Sequence, residues 1–114
     1  MKREVGDYLA DIVEAMVNAQ KFVEGMSFAD FCRDTKTVYA VVRAIEIIGE
    51  AVKNIPDDFR ARYPDIPWRS MAGMRDKLAH GYFSIRLERV WEVLQKDIPD
   101  LKPKFEAMLA QFPK

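Results

Sequence analysis

The sequence predicts an all-α fold, an antiparallel helical bundle of four to five main helices in a single domain spanning residues 1–114. Three observations point there. Apolar residues recur at three- and four-residue steps along most of the chain. No stretch alternates apolar and polar residues as a half-buried strand would. Gly25, Pro56, Pro64, Pro67 and Gly81 fall between the periodic stretches, where helices stop or start. With 114 residues, 49% of them hydrophobic and 32% charged, the chain is long enough to bury one core without staples.

Val5, Tyr8, Leu9, Ile12, Val13, Met16 and Val17 form the first stripe. That helix is expected from Glu4 to Glu24, stopping at Gly25, a residue suited to a helix C-terminus. Ser27, with Asp30 three residues on, resembles a capping pair and opens a short helical turn over Phe28–Arg33. Within it Cys32 reads as a buried thiol acting as a small hydrophobe. A single cysteine excludes an internal disulfide and a cysteine-built zinc site, and no metal is expected.

A second long helix begins near Thr35 with the stripe Val38, Val41, Val42, Ile45, Ile48, Val52 and Ile55, and Pro56 ends it. Gly49 inside this helix costs about 1 kcal/mol relative to alanine and marks close approach of another backbone. Arg43, Glu46 and Glu50 share one face, which reads as a solvated salt-bridge face. Asp57–Tyr63 forms one short turn, and Pro64-Asp65-Ile66-Pro67-Trp68 a rigid connector whose Pro67 suits the first turn of a helix. That helix is expected to run to about His80, with Gly81 closing it. Leu87, Val90, Trp91 and Leu94 stripe the next helix. Leu101, Phe105, Met108, Leu109 and Phe112 stripe the last, with Pro99 and Pro103 bounding the break between the two.

Eighteen basic and eighteen acidic residues cancel, so net charge announces no nucleic-acid partner. Its distribution is uneven. Arg60, Arg62, Arg69, Arg75, Lys77, Arg86 and Arg89 outnumber the acids around them, an excess that ordinary surface charge explains as readily as an anionic partner. No apolar stretch approaches the roughly 20 residues that a bilayer requires. Met1-Lys2-Arg3-Glu4 leads into a charged helix without a signal-peptide core, so the expected location is the cytoplasm, away from any membrane.

Chemistry, if present, has one obvious place: Arg75-Asp76-Lys77-Leu78-Ala79-His80-Gly81-Tyr82, which holds the only histidine. Imidazole both donates and accepts protons near neutral pH, and a nearby guanidinium can hold a phosphate. On a straight helix, Trp68, Met71, Ala72, Leu78, Ala79 and Tyr82 project within about 80° of Arg75, which places a charge in the middle of the apolar stripe. His80 projects roughly 140° away. The two meet if the last turn unwinds at Gly81, if the arginine reaches around, or if a second chain completes the site. Asp76 and His80 are neighbours, four apart, if the helix persists, so Asp76 can orient the ring. Taken alone, the histidine reads as a capping or packing residue and Tyr82 as a core or rim aromatic.

Arg75, four residues, His80, one residue and Tyr82 resemble the Arg-x4-His-x-Tyr signature of the HepT branch of the HEPN superfamily. Arg43-Ala44-Ile45-Glu46-Ile47-Ile48-Gly49-Glu50-Ala51, Ile66-Pro67-Trp68-Arg69 and Val90-Trp91 through Leu101 resemble other runs of that family, so the likeness covers nearly the whole chain. The resemblance implies the toxin of a type VII-like toxin–antitoxin system, a metal-independent endoribonuclease acting on tRNA or mRNA without a cofactor. It implies a homodimer whose motif helices line one cleft. It also implies an antitoxin of the MntA type, a minimal nucleotidyltransferase that moves AMP from ATP onto Tyr82. In those roles Arg75 stabilises phosphate charge and His80 is general acid or base. Asp76 supports His80, and Arg69, Lys77, Arg86 and Arg89 hold the flanking RNA backbone.

Two other readings compete. The bundle could be a non-catalytic binding or regulatory subunit of a nucleotidyltransferase, with Arg75 paired to Glu46 or Glu50 as a structural buried ion pair. It could also be a small-molecule-binding helical domain. The apolar stripe around Arg75 and the close-approach glycines Gly49 and Gly73 are candidates for a dimer seam.

Overall fold

A computed structural model describes residues 3–80 and 84–112, with the side chains of Lys77, Ala79, His80 and Ser84 outside that description. Helix α1 (Val5–Phe22) and helix α3 (Thr35–Lys53) pack along each other and bury one another's stripes: Leu9, Ile12, Met16 and Ala19 against Val41, Ala44, Ile45 and Ile48. Gly25 ends the first connection in the left-handed region at φ 79°, which a side chain would disfavour. Ser27 and Asp30 cap α2 (Phe28–Arg33) reciprocally: Ser27 Oγ accepts from the Asp30 N–H at 3.1 Å, and an Asp30 carboxylate oxygen accepts from the Ser27 N–H at 3.0 Å. Asp34 caps α3 by accepting from the Thr37 N–H at 3.0 Å.

Phe31 is the residue of α2 that enters the core, where it meets Trp91. Cys32, expected to be buried, is exposed. A six-residue helix buries a narrow strip, and the position after Phe31 turns away from it.

From within α4 (Asp57–Ala61), Arg60 reaches back to the end of α3, donating from Nε to the Ile55 carbonyl at 3.0 Å and from Nη2 to the Val52 carbonyl at 2.6 Å. It thereby adds charge-assisted bonds to carbonyls at and just beyond the C-terminus of α3. Arg62 lies over the rings of Phe59 and Tyr63. Two members of the basic excess are thus occupied with the fold.

The expected helix from Pro67 to His80 is not one helix. Helix α5 (Trp68–Ala72) stops at Gly73, helix α6 (Met74–Leu78) restarts at once, and strand β1 (Ala79–His80) follows. Strand β1 pairs antiparallel with β2 (Ser84–Ile85), Ala79 opposite Ile85 and His80 opposite Ser84. The Arg86 N–H closes the ribbon on the Leu78 carbonyl at 2.7 Å. Buried Leu78 and half-buried Ile85 anchor this pair of short strands, which leaves the all-α class unchanged.

Nor do Pro99 and Pro103 bound a break. Helix α7 (Leu87–Glu92) passes through a π-helical turn (Val93–Asp97) into α8 (Ile98–Leu109) as one rod. A proline ring clashes with the carbonyl four residues before it and offers that carbonyl no donor. The wide turn directly before Pro99, where the Ile98 N–H reaches back to the Val93 carbonyl, opens the ladder where the ring needs room. Val90, Val93, Leu94, Ile98, Leu101, Phe105 and Met108 then form one buried row. Among the described residues no helix is long and apolar enough to cross a membrane.

Candidate active site

The site is built on α6, which is held on one flank by α3 and on the other by α7. The buried row of the α5–α6 pair is Trp68, Met71, Met74 and Leu78. Met74 turns that row away from Arg75, so the arginine expected in mid-stripe lies at its border, with its side chain 53% exposed. The pairing of α3 with α5 and α6 brings Glu46, 29 residues upstream, to Arg75: Nε donates to Glu46 Oε2 at 2.5 Å. Glu46 is 28% exposed, and Arg43 stands 4.0 Å from its other oxygen.

Arg75 and Asp76 line a polar cleft of about 420 Å³ with Arg43, Glu46, Gly49, Glu50, Lys53 and Ala72. Lys53 in turn pairs with Glu50 at 3.3 Å. The backbone of α5 lies close to Gly49: a Cβ there would stand 3.5 Å from the carbonyl oxygens of Met71 and Ala72. The close approach expected of Gly49 is made by the chain's own α5. Gly73 serves as the cap between α5 and α6, its N–H directed at the Arg69 and Met71 carbonyls.

Leaving the helix after Leu78 changes the expected relation of Asp76 to His80. The two do not share a helical turn, so the four-residue neighbour geometry is lost. The backbone of His80 is instead fixed by pairing with Ser84. The chain unwinds two residues earlier than Gly81, which frees His80 from the direction a straight helix would impose. Its side chain, that of Lys77, and the whole of Tyr82 lie outside the described residues.

The expected RNA-backbone cations are spread over both flanks. Arg69 on α5 and Arg86 before α7 are exposed. Arg89, paired with Glu92 at 3.4 Å, lines a smaller cleft of about 170 Å³ with Ser70, Met74, Leu78 and Val93. Arg75 therefore opens to the α3 side and Arg89 to the α7 side. Sequence reasoning paired Arg75 with Glu46 or Glu50 only in the regulatory-subunit reading and gave Glu46 no part in catalysis. The structure makes the contact with Glu46, across 29 residues.

Fold and site together define a small all-α protein with an Arg-x4-His motif at the end of a short helix. Over residues 12–108 the chain matches the family described as "Ribonuclease HepT-like". It is 53% identical over 108 residues to the "Probable ribonuclease HepT" of Thermococcus cleftensis, covering 95% of this chain and 98% of that one. A protein of Methanocaldococcus jannaschii named "Putative RNase" is 44% identical over 95% of this chain and 89% of its own. Another of that name, from Caldanaerobacter subterraneus, is 43% identical over 90% and 91%. No solved structure matches the chain. The chain belongs to the HepT-like ribonuclease family. Membership places it among the ribonucleases, the enzyme class that the motif implied.

Proposed function

We propose that this chain is the toxin of a type VII-like toxin–antitoxin system, a homodimeric, metal-independent endoribonuclease of the cytoplasm. The observation that carries the reading is Arg75 itself, half-exposed in a polar cleft two helical turns or less from the ribbon that holds His80. A charge placed at a stripe's border and kept in solvent is available to a ligand. Family membership supports the choice of RNA as that ligand.

In this mechanism the 2′-oxygen of a ribose attacks the adjacent phosphorus, and the bond from phosphorus to the 5′-oxygen breaks. The products are a 2′,3′-cyclic phosphate and a free 5′-hydroxyl. His80 takes the 2′-hydroxyl proton or gives one to the leaving oxygen, a role typically worth about 10²–10⁴-fold. Arg75 stabilises the extra charge on the phosphorane oxygens. A two-fold dimer supplies a second His80 and Arg75, so the two proton transfers fall to different groups. Asp76 is a supporting carboxylate, and Arg69, Lys77, Arg86 and Arg89 hold the flanking backbone of a tRNA or mRNA.

A minimal nucleotidyltransferase antitoxin transfers AMP from ATP to the Tyr82 hydroxyl: the phenolic oxygen attacks the α-phosphorus, the bond to the β-phosphate breaks, and pyrophosphate and the hydroxyl proton leave. The added anion, two residues from His80, competes with the RNA phosphate for the same cations. Cleaved RNA should carry 2′,3′-cyclic phosphate ends, and a sample whose intact mass shows complete adenylylation should leave RNA whole while keeping its helical circular-dichroism spectrum. Full cleavage by the fully modified protein contradicts the neutralisation step, and ends of any other chemistry contradict the mechanism. A monomer at assay concentration, measured by analytical ultracentrifugation with RNA present, contradicts the shared cleft.

The regulatory-subunit alternative required a buried ion pair at Arg75. Its expected partner, Glu46, is in place, but both side chains reach solvent, and such pairs contribute roughly 0–1 kcal/mol.

A further inference from the structure

We infer that Glu46 is a positioning residue for Arg75: its carboxylate takes the Nε–H and leaves the terminal guanidinium edge directed at an RNA phosphate in the α3–α6 cleft. The inference rests on the ribonuclease reading for its substrate.

The pair differs from the other ion pairs among the described residues. Arg33 with Asp30, Lys53 with Glu50 and Arg89 with Glu92 each join residues three apart on one helix, and Arg3 with Asp11 joins the segment just before α1 to α1 itself. Arg75 with Glu46 joins two helices across 29 residues. Its exposure argues against a role in stability, since solvent screens such a pair and side-chain ordering opposes it. What the contact does change is the freedom of the arginine. Helix α6 is five residues long, set between the Gly73 break and strand β1. A long side chain on so short a support has many rotamers and few neighbours. Glu46 stands on α3, nineteen residues long and packed along α1, and so ties the arginine to a long, well-packed helix.

The atoms used matter as much as the pairing. A guanidinium offers donors at Nε and at both terminal nitrogens in a fixed plane. The bond to Glu46 uses Nε, and the terminal nitrogens are the donors that a bidentate phosphate would take. A carboxylate so near the phosphate would repel it, and Arg43, 4.0 Å from the second Glu46 oxygen, offsets that charge. The cleft of about 420 Å³ lies within the size range of small-ligand sites.

The test compares wild type, Glu46→Ala, Glu46→Gln, Arg75→Ala and the Glu46→Ala/Arg75→Ala double variant on one labelled oligoribonucleotide. Glu46→Ala should lower kcat by about 10- to 100-fold, the scale of a misaimed catalytic group, with little change in KM. Its melting temperature should match wild type. Glu46→Gln keeps an oxygen for Nε and should recover most of the loss. In the Arg75→Ala background, Glu46→Ala should add nothing. Full activity in Glu46→Ala overturns the inference, as does a loss that persists beside Arg75→Ala or that follows a fall in melting temperature. If wild type cuts no RNA, the ribonuclease reading falls by itself, and binding of the same oligoribonucleotide by fluorescence anisotropy decides the positioning role. Equal, non-additive weakening by Glu46→Ala and Arg75→Ala supports it, and additive or absent weakening removes it.

Discussion

Arg75 shows how far a helical wheel carries and where it stops. The wheel found the right helix and the anomaly of a charge beside Trp68, Met71 and Leu78. It erred by one step in the direction of the stripe, because it left out Met74, which is buried. Gly49 was legible as a place of close approach, and the approaching backbone is α5. A methyl group there would meet the Met71 and Ala72 carbonyls at 3.5 Å, an ordinary contact distance. Gly49→Ala should therefore stabilise the fold by up to about 1 kcal/mol, since helix propensity improves without a clash. A rise in the denaturant midpoint at unchanged slope checks this. Arg60 was grouped with the basic excess, yet it binds two carbonyls at the end of α3. Arg60→Ala should cost about 1.5–3 kcal/mol, as charge-assisted bonds do. Cleavage per folded molecule should stay at the wild-type level.

At the scale of elements, local chemistry was the readable part. The Ser27–Asp30 pair and the start near Thr35 appear where spacing placed them, whereas α1 ends at Phe22, short of the expected Glu24, and Gly25 closes the turn that follows. Hydrogen bonds from the Ser27 backbone and side chain hold the Asp30 carboxyl below its ordinary 3.8, and those from Thr37 do the same for Asp34. A lowered folded-state value means that the stabilisation is present above 3.8 and is lost as pH falls through the lowered values. Stability should thus decline with acidification in that window, and Ser27→Ala, costing about 1 kcal/mol as a lost cap, should flatten the decline. Thermal unfolding of both proteins between neutral and strongly acidic pH measures it. The features missed here depend on partners outside the element. The Gly73 break and the β1–β2 ribbon form because Leu78 and Ile85 find the core, and no periodicity within 68–80 encodes that. The π-helical turn before Pro99 arises because a continuous buried row outweighs the break two prolines would otherwise impose.

For the whole molecule, the bundle delivers one polar cleft on the α3 side of the motif helix and leaves cations on the other flank as well. The sequence made the helical class and the motif legible. It could not show that Arg75 and Arg89 open to different sides, because that depends on how α6 sits between α3 and α7. If RNA spans both flanks, Arg69→Ala, Lys77→Ala, Arg86→Ala and Arg89→Ala should each weaken binding to all sequences alike. Each should reduce the salt dependence of affinity by about one phosphate contact. Affinity measured across a salt series tests this, and unchanged slopes would assign those cations to ordinary surface.

The most direct measurement is cleavage of labelled tRNA and mRNA in EDTA by the unmodified protein, beside a His80→Ala variant of matched circular dichroism and melting temperature. The account predicts that the parent cleaves and the variant does not. Equal cleavage by both, or none by the parent on any RNA, would contradict it.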